Sequence, residues 1–133
     1  MKIQYIILFL LFVNSAIAQN CPLNDTAKYH WHRARAAEDI AQTPADYKNA
    51  IDEYTKAFEH APECPDIAYD LGLCYEYCGT TDTSLWRKAV EYYRIYLKLK
   101  PQASNKELVI GKIYKMEYII ENNELKTINN KVK

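Results

Sequence analysis

The chain has 133 residues, 17 basic and 17 acidic side chains, and only three glycines. Average proteins contain roughly 7% glycine, so this scarcity of turn residues disfavours a β-sandwich, a barrel or a dinucleotide-binding sheet and favours helices. The balanced charge provides no basic excess for binding nucleic acid or an anionic membrane surface.

The N-terminus predicts a secretory signal peptide over residues 1–18. Lys2 precedes an apolar run over residues 6–13, and the tripeptide Ala16-Ile17-Ala18 places small residues before a cleavage site. A membrane span needs about 20 apolar residues, so a retained anchor is a weaker alternative. Membrane attachment is otherwise expected only if Cys21 is lipidated, which is disfavoured because the residue before it is not small.

Helical spacing of apolar residues predicts five helices in the exported chain. Their expected bounds are residues 25–41, 44–59, 65–78, 84–99 and 104–121. The helical domain is therefore expected over residues 19–121. The Asn- and Lys-rich segment over residues 122–133 is expected to be a frayed, flexible tail.

Residues at the expected helix ends support these bounds. Thr43 before Pro44 supplies a hydroxyl cap and a proline at the first helical position of the second helix. Ser104 and Glu107 form a predicted capping box at the start of the fifth helix. Gly79 is expected to end the third helix.

The sequence repeats itself at a shift of 39 residues in two blocks. In the first block, Leu71, Gly72 and Tyr75 align with Ile110, Gly111 and Tyr114. In the second, Tyr47, Ala50, Ile51, Tyr54, Phe58 and Pro62 align with Trp86, Ala89, Val90, Tyr93, Leu97 and Pro101. Glycine costs about 1 kcal/mol in a helix interior, so we expect Gly72 and Gly111 to be matched sites where a neighbouring helix approaches closely.

The repeated residues resemble those of the tetratricopeptide repeat family. The segments that carry the resemblance are Leu71-Gly72-x-x-Tyr75, Ala89-x-x-x-Tyr93 with Pro101, and Ala50-x-x-x-Tyr54-x-x-Ala57 with Pro62. The family period is about 34 residues, and the surplus here lies in the turn between Gly79 and Leu85. This longer turn also resembles Sel-like repeats, which we keep as the alternative.

The resemblance covers residues 27–118 and implies an all-α fold. The implied architecture is a right-handed stack of antiparallel helical hairpins, an α-solenoid, with two hairpins and a C-terminal capping helix. The first helix matches least well, since its register can be set on either Ala34 or Ala37.

The resemblance also implies that the inner face of the first helices binds a peptide or a partner helix. The candidate groove residues are Asp66, Tyr69, Leu73, Glu76, Tyr77, Leu108, Lys112 and Lys115, with His32 and Arg35 from the first helix. Carboxylate-clamping members of the family carry lysine, arginine and asparagine in this groove, and the pair Tyr69 and Leu73 departs from that pattern. Alternatively, the tyrosines of this set only cover neighbouring helices.

Four cysteines in an exported chain predict disulfide formation. Of the three possible connectivities we favour Cys21 with Cys64 and Cys74 with Cys78. The first pair precedes the first helices of adjacent hairpins, and the second pair is separated by about 6 Å on one helix. A zinc site that includes His60 is a weaker alternative, because the C-x-x-C spacing of structural zinc sites is absent.

The sequence contains no glycine-rich phosphate loop, nucleophile elbow or HExxH pair, so we expect no enzyme activity, cofactor or metal. Two classes of function remain. The first is an exported interaction module that binds an unidentified protein or peptide in its groove. The alternative is a structural subunit, or a lipid-anchored envelope component, that stacks with other chains.

Overall fold

The computed structural model describes residues 21–132, so the predicted signal peptide lies outside the described residues. The helices are α1 Asp25–Ile40, α2 Tyr47–His60, α3 Pro65–Cys78, α4 Leu85–Leu99 and α5 Lys106–Lys131. This described part of the chain has no strand, which confirms the predicted all-α class. None of these helices is long and apolar enough to cross a membrane.

α2 begins later than predicted because Thr43 does not cap it. The Asp46 carboxylate instead accepts hydrogen bonds from the backbone N–H groups of Gln42 and Thr43 and from the Thr43 hydroxyl. These bonds hold a turn that includes Pro44, and the helix starts only at Tyr47.

α5 differs from its prediction at both ends. It is preceded by Asn105, whose side-chain carbonyl accepts a hydrogen bond from the Tyr96 hydroxyl, so the predicted capping box at Ser104 is wrong. The helix then continues through the segment predicted to fray, as far as Lys131. Polar side chains in this segment, such as Thr127, bond to backbone carbonyls one turn earlier and are compatible with the helix.

Each helix packs against the next one along the chain, and the contacts of α1 with α2 and of α3 with α4 are the most extensive. A first core lies among α1, α2 and α3, and its largest fully buried side chains include Tyr54, Ile67 and Leu71. A second core lies among α3, α4 and α5 around Tyr93 and Val109. α3 therefore contributes to both cores.

A hydrogen bond from a buried tyrosine to a glutamate occurs in both halves of the fold. Tyr54 on α2 donates to Glu38 on α1 at 2.6 Å, and Tyr93 on α4 donates to Glu76 on α3 at 2.5 Å. Burial and the adjacent carboxylate raise the pKa of both phenols, which therefore remain protonated donors. The two tyrosines are 39 residues apart, as the repeat requires.

The repeated hydrogen bond also shows how α1 aligns with α3. Glu76 lies four residues after Gly72, and Glu38 lies four residues after Ala34. Ala34 is fully buried and so occupies the position of Gly72 in the first helix. Of the two registers that the sequence allowed for α1, the hydrogen bonding matches the one set on Ala34.

The glycines differ sharply in their surroundings. A Cβ atom added at Gly72 would lie 2.6 Å from two ring carbons of Tyr93, and one at Gly79 would lie even closer to the indole of Trp86. A Cβ atom at Gly111 would meet no atom of the described chain within 4 Å. The predicted packing role of Gly111 is therefore wrong, because no helix follows α5 within residues 21–132 to cover it.

The residues that carry the repeat and the resemblance to tetratricopeptide repeats likewise divide into buried and exposed ones. Those that are buried are Ala50, Tyr54, Ala57, Leu71, Gly72, Ala89 and Tyr93, with Tyr75 and Ile110 half-buried. Those that are exposed are Pro62, Pro101, Gly111 and Tyr114. The two prolines lie in turns just after α2 and α4, where they end helices rather than pack.

Cys21 and Cys64 form a disulfide with their α-carbons 4.8 Å apart, which ties the segment before α1 to the start of α3. Cys74 and Cys78 are free and buried in the described structure, so the second predicted disulfide is wrong. Cys74 packs in the first core, and the Cys78 thiol donates to the Pro44 carbonyl at 3.3 Å. Burial raises the pKa of both thiols, which disfavours the reactive thiolate form.

Candidate functional site

An open cavity of about 590 Å³ lies between α1 and α3, with α2 and α4 contributing to its walls. We call it the inner groove. Its aromatic lining residues are Trp31, Tyr47, Tyr54, Tyr69 and Tyr96. Its charged lining residues are Arg35, Glu38, Asp39, Asp66 and Asp70, so acidic groups outnumber basic ones.

Helical spacing brings these residues to one surface. Trp31, Arg35 and Glu38 are separated by four and three positions and therefore share a face of α1. Asp66 and Asp70 are separated by four positions, with Tyr69 between them, and share a face of α3. Most of the groove lining thus comes from one face of α1 and one face of α3.

A contact between Trp31 and Asp70 joins the two faces. The indole N–H of Trp31 donates to the Asp70 carboxylate at 3.0 Å, and the guanidinium of Arg35 lies 5.6 Å from the centre of the Trp31 ring. Burial raises the pKa of the Asp70 carboxyl to about 6, although the Trp31 hydrogen bond opposes this, and the nearby Glu38 raises it further. At neutral pH the groove therefore contains a poorly solvated negative charge.

Replacing Asp70 by Asn is expected to stabilise the protein at pH 7 by on the order of 2 kcal/mol and to change its stability little at pH 4. The folded-state pKa of about 6 lies above the reference value of 3.8. The free-energy cost of burying the charged carboxylate is therefore present at pH 7. It is lost as the pH falls from the folded-state pKa to the reference value. Asn retains an acceptor for the Trp31 indole.

Urea unfolding of both proteins at the two pH values measures this difference. Asp66→Asn is the matched control, because Asp66 is exposed on the same helix, and it should change stability little at either pH. An Asp70→Asn effect of equal size at pH 4 and pH 7 would show that Asp70 does not bury a charge.

Three of the predicted groove residues line the inner groove together: Arg35, Asp66 and Tyr69. Tyr69 also packs against Tyr96, with ring centroids 4.9 Å apart, so it both covers a neighbouring helix and lines the groove. His32 is exposed beside the Trp31 ring and does not belong to the cavity lining.

Six other predicted residues are engaged elsewhere or lie on other surfaces. Glu76 and Lys112 form an ion pair at 2.7 Å, so each neutralises the other, and Leu73 packs against the second core. Tyr77 is 41% exposed and packs against Tyr47 with ring centroids 4.6 Å apart. Leu108 and Lys115 are exposed on α5, away from the cavity lining.

Seven residues of the groove lining were not predicted from the sequence. They are Trp31, Glu38, Asp39, Tyr47, Tyr54, Asp70 and Tyr96. Trp31 could have been found by aligning α1 with α3 at a shift of 38 residues, which places it opposite Tyr69. Tyr54 was expected only as a residue of the repeat, since spacing alone does not show that a phenol ring reaches a groove.

The inner groove is suited to noncovalent binding, because its lining combines carboxylates with aromatic faces, both of which attract cations. Among residues 21–132, no three or more His, Cys, Asp or Glu side chains are grouped so that they could hold a metal ion. The chain matches no family model, and no curated protein or solved structure is significantly similar to it.

Proposed function

We propose that this protein is an exported, non-enzymatic interaction module that binds a basic peptide segment of a partner protein in the inner groove. We further propose that its helices form a tetratricopeptide-like right-handed stack of hairpins with α5 as the capping helix. The repeated tyrosine–glutamate hydrogen bond supports this architecture. The Cys21–Cys64 disulfide supports export, because such bonds persist in oxidising compartments.

The observation that carries the proposal is the Asp70 carboxylate held against Trp31 inside an acidic, aromatic groove. Arg35 is the one basic residue among the charged lining residues, and Lys100 lies outside the lining, 3.9 Å from Asp66. A lysine or arginine from a partner would restore a favourable environment for the Asp70 charge. The aromatic faces beside it would add cation–π attraction, about 0.5–2 kcal/mol per contact.

We expect short, extended peptides that alternate lysine or arginine with serine to bind the mature protein, and a glutamate–serine peptide of the same length not to bind. Asp70→Asn should weaken binding of the basic peptides about tenfold, since it removes one charge-assisted contact. Binding to the unmodified protein should also weaken from pH 7 to pH 5 as Asp70 becomes protonated. Fluorescence anisotropy of labelled peptides measures all three effects.

Asp52→Asn is the matched control, because Asp52 is an exposed carboxylate on α2 outside the cavity lining. It changes the net charge by the same amount and should leave peptide affinity nearly unchanged. Equal losses for Asp52→Asn and Asp70→Asn would indicate nonspecific charge attraction, and preferential binding of the glutamate peptide would contradict the proposal outright.

A further inference from the structure

One side of α5 is exposed although the matching side of α3 is covered. On α3, Tyr69, Gly72 and Glu76 all contact α4. Their counterparts 39 positions later on α5 are Leu108, Gly111 and Lys115, and all three are exposed. The repeat thus places on α5 a helix-binding surface that no other part of residues 21–132 covers.

The exposed residues of this surface are arranged symmetrically about Tyr118. Three pairs are equally distant from it in sequence: Lys115 and Glu121, Gly111 and Leu125, and Leu108 and Ile128. All seven residues are exposed, and Leu108, Tyr118, Leu125 and Ile128 are each more than half exposed. We call this set the α5 seam. Successive members of the seam are three or four residues apart, so each one adjoins the next along the helix surface. The seam winds gradually around the helix, and its five central residues, from Gly111 to Leu125, lie within about 120° of arc.

We propose that the α5 seam binds the α5 seam of a second copy of this chain, with the two helices antiparallel and Tyr118 at the twofold axis. In a twofold interface every contact occurs twice. If one residue of the first copy touches another residue of the second copy, the same two residues also touch with the copies exchanged. The symmetry about Tyr118 then brings Lys115 of each copy near Glu121 of the other. A parallel pairing would instead place like charges together.

Shape complementarity supports the same pairing. Gly111 provides a notch on the helix surface, since a Cβ atom there would meet no atom of the described chain within 4 Å. In the antiparallel arrangement Leu125 of the second copy lies opposite this notch. The fold already contains such a contact, in which the Tyr93 ring packs on Gly72.

Charge reversal gives a direct test by sedimentation equilibrium of the mature protein. Lys115→Glu and Glu121→Lys should each raise the dimer dissociation constant by about tenfold or more, because two symmetric ion pairs become two repulsive pairs. An equimolar mixture of the two variants should dimerise as well as the wild type, since both opposite-charge pairs form again in the heterodimer.

Both substitutions are at exposed positions outside the cores, so circular dichroism should show the wild-type helical content for each variant. A wild-type protein that remains monomeric up to millimolar concentration would overturn the proposal. The α5 seam would then be a candidate binding surface for a different protein. Single variants that dimerise as tightly as the wild type, or a mixture no tighter than its components, would also overturn it.

Discussion

Replacing Gly72 by Ala is expected to lower the free energy of unfolding by about 1–3 kcal/mol, the usual cost of overpacking a core. The added Cβ atom would lie 2.6 Å from two carbons of the Tyr93 ring. That ring cannot easily move aside, because it is fully buried and its hydroxyl is bonded to Glu76. The helix propensity gained with alanine is too small to offset the clash.

The repeat supplies the matched control for this prediction. Gly111→Ala should raise the free energy of unfolding by up to about 1 kcal/mol, because alanine favours the helix and the new methyl group meets no atom of the described chain. Urea unfolding should be followed at a concentration where the protein is monomeric. If both alanine substitutions changed the free energy of unfolding in the same direction, the result would contradict the observation that, within residues 21–132, Gly72 is covered by a neighbouring helix and Gly111 is not.

Reducing the Cys21–Cys64 disulfide is expected to lower the free energy of unfolding by about 4 kcal/mol on the chain-entropy model. The bond joins residues separated by 43 positions, so its loss frees a long loop in the unfolded chain. For a small domain this is a large part of the total stability. Urea unfolding with and without a reductant measures the effect.

The double variant Cys21→Ala with Cys64→Ala is the control, since its stability should not depend on the reductant. Thiol titration under denaturing conditions provides a second check. The unreduced protein should show two thiols, and peptide mapping should assign them to Cys74 and Cys78. Four titratable thiols, or a bridge that includes Cys74, would contradict the observed connectivity.

The helices and the close contact at Gly72 could be predicted from the sequence, because the spacing of residues along each helix indicates them. The bounds of α3 were predicted to the residue, and Gly72 was expected at a close helix contact. Gly111 was assigned the same role because periodicity shows which residues share a helix face. Periodicity does not show whether a further helix exists to cover that face, so the exposure of Gly111 could not be predicted in this way.

The inner groove was predicted only in part, for a related reason. Asp66, Tyr69 and Arg35 were expected there because the resemblance identified the first helices as groove-forming. Trp31 and Asp70 were missed, since their hydrogen bond joins two helices whose relative register the sequence left open. The pairing of Cys74 with Cys78 failed because separation along a helix does not reveal that both thiols face a packed core.

The two tryptophans allow the most direct test of peptide binding in the inner groove. Trp31 lines the groove, whereas the indole N–H of Trp86 donates to the Glu76 carbonyl on α3, outside the cavity lining. Two-dimensional ¹H–¹⁵N spectra of the protein resolve the indole N–H signals, and a lysine–serine peptide can be added stepwise. We predict that the Trp31 signal shifts with saturation while the Trp86 signal stays in place. A Trp31 signal that does not move at saturating peptide would contradict binding in the groove.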